Sequence, residues 1–192
     1  ELSLRKLPFK AFLTFLFFLT LMMSTMTNSH AETPADLENT IYMDTKHGRV
    51  VMALRSDLAP NHVSRIKELV RKGFYDGIVF HRVIAGFMAQ TGDRTGTGSG
   101  GSGQKLKAEF SDEPHVRGTL SMARAQDENS ADSQFFIVFE RASHLDGKYT
   151  VWGKVTEGMS VVDKIKRGDS RSGMVTNPDS ILRMQVAADV IN

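Results

Sequence analysis

The sequence predicts an all-β fold, a barrel of short antiparallel strands with two helices packed outside it or over its ends. Three observations lead there. Eight short runs have strand-like composition, several with strict apolar–polar alternation. Only two segments carry apolar residues at helical spacing. Gly-rich turns separate the runs, and no internal repeat or linker divides them, so one domain is expected over residues 41–192.

The 192-residue chain opens on an address segment. Arg5, Lys6 and Lys10 precede the apolar run Ala11–Met23, and Ser29-His30-Ala31 supplies a small-x-small cleavage site. This is the order of a secretory signal peptide over residues 1–31, cut after Ala31. The apolar run is shorter than the ~20 residues of a membrane-spanning helix, so no anchor is expected after cleavage. The mature protein is expected in the periplasm or secreted. Residues 32–40 are polar and read as a short flexible lead-in.

The body then unfolds in order. Ile41–Asp44 and Val50–Leu54 alternate around a turn at Lys46-His47-Gly48, which makes a hairpin. Pro60 opens the first helix, with Val63, Ile66, Leu69 and Val70 on one face and Gly73 as its stop. Ile78–Ile84 reads as a strand that Gly86 breaks, and Phe87–Thr91 resumes it. In that first run Phe80, Arg82 and Ile84 are expected on one face, His81 and Val83 on the other. Thr95–Gly103 is a flexible Gly/Ser/Thr loop. Thr119–Ala123, Gln134–Phe139 and Thr150–Val155 are strand-like, Met159–Lys166 is the second helix, and Leu182–Val190 is the last strand.

Charge and composition exclude several functions. The formal net charge of +2 comes entirely from the first 31 residues, so the body is neutral and lacks the positive field of a nucleic-acid protein. The chain has no Cys, which removes disulfides, thiol nucleophiles and Cys-ligated metals. Gly98-x-Gly100-x-x-Gly103 matches a dinucleotide fingerprint, but no strand leads into it and no helix follows. The six His residues show no helical metal spacing. No metal or cofactor is expected.

The informative block is Phe80-His-Arg-Val-Ile-Ala-Gly-Phe-Met-Ala-Gln-Thr-Gly-Asp93, which sets Arg82 among apolar side chains and follows it with Phe87, Met88 and Gln90. Read alone, it fits equally a hydrophobic strand pair with one arginine reaching to water. The block resembles the signature of cyclophilins, the peptidyl-prolyl cis–trans isomerases. Leu120–Ala125, Ser133–Ile137 and Leu145–Val155 resemble three further blocks of that family, in order and at fitting distances.

The resemblance covers residues 41 to about 190. It implies an eight-stranded antiparallel cyclophilin-like barrel with two capping helices. It implies Arg82 as the catalytic arginine and Phe87, Met88, Phe136 and Leu145 as the proline pocket. Gln90 and Gln134 would position the substrate backbone, and Ala123 and Arg124 would meet the residue before proline. Three positions depart from the best-known members. His144 replaces a Trp that supports cyclosporin binding there, Arg124 replaces an Asn, and Tyr149 replaces a pocket His while retaining a hydrogen-bonding atom. The implied partners are proline-containing unfolded or partly folded polypeptides, met by a monomer. A peptide-binding module without turnover and a surface adhesin are the alternatives.

Overall fold

A computed structural model describes residues 33–190. The expected signal peptide lies outside them. Within the polar lead-in, Pro34–Glu38 forms a one-turn helix (α1) rather than an irregular segment. Glu38 accepts hydrogen bonds from Lys67 at 2.9 Å and Arg71 at 2.7 Å, which ties α1 to the first long helix.

β1 (Thr40–Thr45) and β2 (Gly48–Leu54) pair as the expected hairpin, Thr45 opposite Gly48. Alternation buries Ile41, Met43, Val50 and Met52 on one face. The helix α2 (Pro60–Arg71) buries His62, Val63, Ile66, Leu69 and Val70. Its first N–H groups lie beyond any intrahelical acceptor. Those of Asn61 and His62 donate instead to the Glu109 carboxylate, at 3.1 and 3.0 Å. The helix ends where Gly73 takes φ +62°. There Gly73 N–H reaches the Val70 carbonyl and Phe74 N–H the Leu69 carbonyl, a closing pair of bonds that a left-handed glycine makes possible.

The remaining strands are β3 (Arg82–Ile84), β4 (Met88–Thr91), β5 (Thr119–Met122), β6 (Phe135–Val138), β7 (Val151–Glu157) and β8 (Ile181–Val186). They form one eight-stranded antiparallel sheet in the order β3-β4-β6-β5-β7-β2-β1-β8. The segment before β3 is tied to the start of β8: Gly77 N–H donates to Ile181 O, Phe80 N–H to Asp179 O, and Val79 bridges Ser180. The sheet thereby curls into the expected barrel.

Three sequence expectations shorten. The last strand, expected over Leu182–Val190, ends at Val186, where Ala187–Asp189 turns into a short 3-10 helix, and Leu182 faces solvent. The second predicted helix is α3 (Met159–Val162), one turn, with Val162 and Ile165 still buried. The strand expected from Ile78 is regular only from Arg82. Phe80 therefore does not share a face with Arg82. It sits in the barrel core with Val83, while Ile84 lies outside, because the alternation is broken before the ladder begins.

The core fills the barrel with Trp152, Phe135 and Tyr75 in edge-to-face contact, at 5.3 and 5.6 Å between ring centres. A smaller apolar cluster of Met88, Phe136, Val138, Ala142 and Leu145 lies apart from it. β6 serves both, with Phe135 and Ile137 turned inward and Phe136 and Val138 outward. That is why all four of its residues are buried.

Candidate active site

The outward cluster floors a groove of about 640 Å³. Its geometry follows from strand register. Arg82 pairs with Gln90, Gln90 with Phe136, and Phe136 with Ser121. Residues paired across antiparallel strands project to the same face, so these side chains form one row across β3, β4, β6 and β5. Gly86, at φ +70°, makes the tight turn that folds β4 back on β3 and sets Phe87 beside Met88.

Of the residues singled out by sequence, Arg82, Phe87, Met88, Gln90, Ala123, Arg124, Phe136, His144, Leu145 and Tyr149 line this groove. Gln134 lines an adjoining recess of about 350 Å³, which Gln90, Ala123 and Arg124 share.

The guanidinium of Arg82 is anchored at two points. Nε donates to Ser172 O at 3.0 Å and Nη1 to Gln90 Oε1 at 3.3 Å. Gln90 Nε2 then donates to Gln134 Oε1 at 2.9 Å, and Gln134 Nε2 donates to the carbonyls of Gly98 and Gly100 at 3.0 and 2.7 Å. Arginine can only donate, so it fixes the direction of the whole relay and the orientation of both amides. Gln134 thus steadies the Gly-rich loop, with both of its N–H groups on loop carbonyls.

That loop is wound around Asp93, which is fully buried. Its carboxylate accepts the N–H groups of Thr95, Thr97 and Gly98, at 2.8, 3.2 and 2.7 Å, and the Thr95 hydroxyl at 2.8 Å. Burial pushes this acid up, but the Thr95 hydroxyl and the loop N–H groups outweigh it and hold it down at about 2. Gly100 is required here, since a Cβ would stand 2.0 Å from Asp93 Oδ1.

The opposite wall rests on a second network. His115 is buried beneath the floor, its ring 6.3 Å from that of Phe136 and nearly parallel to it. Its Nδ1 lies 3.1 Å from Asp146 Oδ1, and its Nε2 lies 2.9 Å from Ser121 Oγ. Burial holds the imidazole below its ordinary range, against the pull of Asp146. Asp146 also binds the Arg141 guanidinium, which holds its carboxyl far below the usual range.

Tyr149 packs edge-on to Phe136 at 6.0 Å, and the Arg124 guanidinium lies over the Tyr149 ring at 4.7 Å. Arg124 is otherwise committed to the carbonyls of Lys148, Ala125 and Gln126. Its guanidinium braces Tyr149 while still lining both the groove and the adjoining recess. His144 is exposed and stands 5.4 Å from the Phe87 ring.

Sequence reasoning missed four contributors. The Ser172 carbonyl and Met174 come from a distant loop. His115 lies under the floor. His81 lines the groove while buried, neither ring nitrogen having a partner, and burial pushes its pKa down. Alternation sets His81 on the face opposite Arg82, and that expectation fails because His81 precedes the regular ladder, which begins at Arg82.

An anchored guanidinium beside an apolar recess, on the outer face of an eight-stranded antiparallel barrel, defines a cyclophilin-like barrel with an open polypeptide-sized groove. The comparisons agree. The family model described as "Cyclophilin type peptidyl-prolyl cis-trans isomerase/CLD" matches residues 40–186. A probable peptidyl-prolyl cis-trans isomerase of Brucella suis is 53% identical over 169 residues, 81% of this chain and 86% of the relative. A peptidyl-prolyl cis-trans isomerase of Helicobacter pylori is 47% identical over 140 residues, 70% of this chain and 85% of the relative. Among solved structures, the cyclophilin AquaCyp293 from Hirschia baltica superposes with a TM-score of 0.73 at 28% identity, covering 81% of this chain and 76% of that one. A cyclophilin type isomerase of Cryptosporidium parvum, crystallised in the presence of the dipeptide Ala-Pro, gives 0.71 at 29% identity, covering 77% and 98%. The chain belongs to the cyclophilin-type peptidyl-prolyl cis-trans isomerases, and its activity is isomerisation of X–Pro peptide bonds.

Proposed function

We propose that Arg82 drives this isomerisation by stabilising the twisted prolyl bond, without covalent chemistry, metal or cofactor. The uncatalysed barrier is ~18–20 kcal/mol and arises from amide resonance. In the twisted state the prolyl nitrogen regains its lone pair and accepts a hydrogen bond that the planar ground state cannot. A guanidinium aimed at that nitrogen therefore favours the transition state over the substrate. An acceleration of ~10⁵ needs about 7 kcal/mol. One charged hydrogen bond in a dry cleft supplies ~3–4 kcal/mol of it, and seating the ring on Phe87, Met88, Phe136 and Leu145 supplies the remainder by orientation.

The observation that carries this reading is the double anchoring of Arg82. Ser172 O and Gln90 Oε1 hold two of its five N–H groups at the rim of the apolar recess, which leaves the others to serve a substrate. Gln90 is a fixed part of that mount. Ala123 meets the residue before proline, at the junction with the recess beside Gln134. His144 and Tyr149 complete the far wall.

The biological setting follows from the leader. Residues 1–31 direct export with cleavage after Ala31, and the mature monomer works in the periplasm or outside the cell. There it assists the folding of proline-containing polypeptides, as isomerase and as chaperone. Exchange NMR on an Ala-Ala-Pro peptide tests the mechanism. Arg82→Ala is expected to lose 10²–10³-fold in kcat/KM with its melting curve preserved, and near-normal turnover in that folded variant would discard the role. N-terminal sequencing of the exported protein tests the leader, with Glu32 expected as the first residue.

A further inference from the structure

We propose that Met174 forms a subsite for an apolar side chain on the residue that follows the substrate proline. Met174 and Leu182 are the large apolar side chains left exposed among the described residues, and Met174 is the one that lines the groove. It stands directly across from Arg82 in an isolated antiparallel bridge. The flanking bonds, Val83 N–H to Gly173 O at 2.7 Å and Val175 N–H to His81 O at 3.0 Å, make Arg82 and Met174 a non-hydrogen-bonded pair. That is the close kind, in which the two side chains rise side by side on one face.

The backbone under Met174 is firmly held. Gly173 takes φ +76°, and a Cβ there would stand 2.5 Å from Ile84 Cγ1. The Met174 N–H donates to Ser172 Oγ, which in turn binds Asp169. An unbranched thioether on a fixed backbone at the rim of a groove adapts to apolar side chains of varied shape.

Position relative to Arg82 assigns the substrate residue. Gln90 and Ala123 lie on one side of the guanidinium, where the recess beside Gln134 opens and the residue before proline is placed. Met174 lies on the other side, so a chain passing over Arg82 meets it after proline. The proposal rests on the groove being the isomerase site.

The test compares peptides Ala-Ala-Pro-Leu and Ala-Ala-Pro-Gly by exchange NMR, read as the ratio of their kcat/KM values. A ratio of about 10 in favour of Leu is expected, the low end of apolar pocket discrimination, because Met174 stands at the rim. Met174→Ser is expected to bring the ratio close to one, and Met174→Leu to restore it. Methionine-methyl labelling gives an independent reading. The Leu peptide should move the signals of both Met88 and Met174, and the Gly peptide that of Met88 alone. A Leu peptide that moves Met88 but leaves Met174 still overturns the subsite alone, as does an unchanged ratio in Met174→Ser. A peptide that neither moves Met88 nor is turned over removes the groove reading and the subsite with it.

Discussion

Two loops flank Arg82, and each is wound around an aspartate. On one side Asp93 gathers the N–H groups of Thr95, Thr97 and Gly98 and the Thr95 hydroxyl. On the other, Asp169 gathers the N–H groups of Arg171 and Ser172, at 2.9 and 2.8 Å, and the Ser172 hydroxyl. Both carboxyls sit at about 2, Asp93 against its burial and Asp169 led by its bond to the Ser172 hydroxyl. Yet Asp93 is fully buried and Asp169 is exposed. Equal acidity does not mean equal worth. Water would serve the exposed carboxylate nearly as well as the loop does, whereas the buried one has only the loop. The buried turn therefore holds part of the fold together, and the exposed one mainly aims the Ser172 carbonyl at Arg82.

Breaking the buried turn is expected to have the larger effect. Asp93→Ala should lower unfolding free energy by about 2 kcal/mol, the worth of moving a carboxyl from 3.8 to about 2. It should also cut kcat/KM by about tenfold as Gly98 and Gly100 leave Gln134. Urea denaturation beside peptide turnover measures both, and a midpoint like that of the parent protein would show the loop to be held by other means. Gly100→Ala attacks the same turn sterically and should destabilise by about 1–3 kcal/mol, again read from the urea midpoint.

Acid titration sharpens the contrast. A folded-state pKa below the unfolded one stabilises above the unfolded value and loses that contribution as pH falls through the folded value. Stability from Asp93 should thus be intact above about pH 4 and vanish as pH falls toward 2. The difference in stability between the parent and Asp93→Asn should shrink over that window. A difference that stayed constant would contradict the linkage. The smallest effect is expected from Asp169→Asn, whose urea midpoint should match the parent protein while kcat/KM drops by at most about fivefold. A large loss of stability there would erase the distinction between the two loops.

The contrast also marks what sequence reading reaches. The β1–β2 hairpin and α2 were readable because their signals are local: alternation, Pro60 at the first turn and Gly73 at the stop. The barrel was readable from strand number and, more surely, from the four blocks around Arg82, Leu120, Gln134 and Leu145. Those blocks also named most of the groove, because Arg82, Gln90 and Phe136 pair across neighbouring strands. Phe80 was assigned to the wrong face because regular pairing starts only at Arg82, and no periodicity reports where a ladder begins. Ser172 and Met174 escaped because both come from far along the chain: Ser172 lends a carbonyl to the Arg82 guanidinium across 90 residues, and Met174 meets Arg82 only through a backbone bridge. Asp93 stood at the end of the best block, but a carboxylate that organises a loop has the same letter as one facing water.

The cross-strand row has a last consequence, for the size of the segment a client must surrender. From Met174 through Arg82 and Gln90 to Phe136 there are three inter-strand steps. At ~4.8 Å each they measure about 14 Å, the reach of some four residues of extended chain. A protruding hairpin tip or a frayed end offers that much without wholesale opening of the molecule behind it.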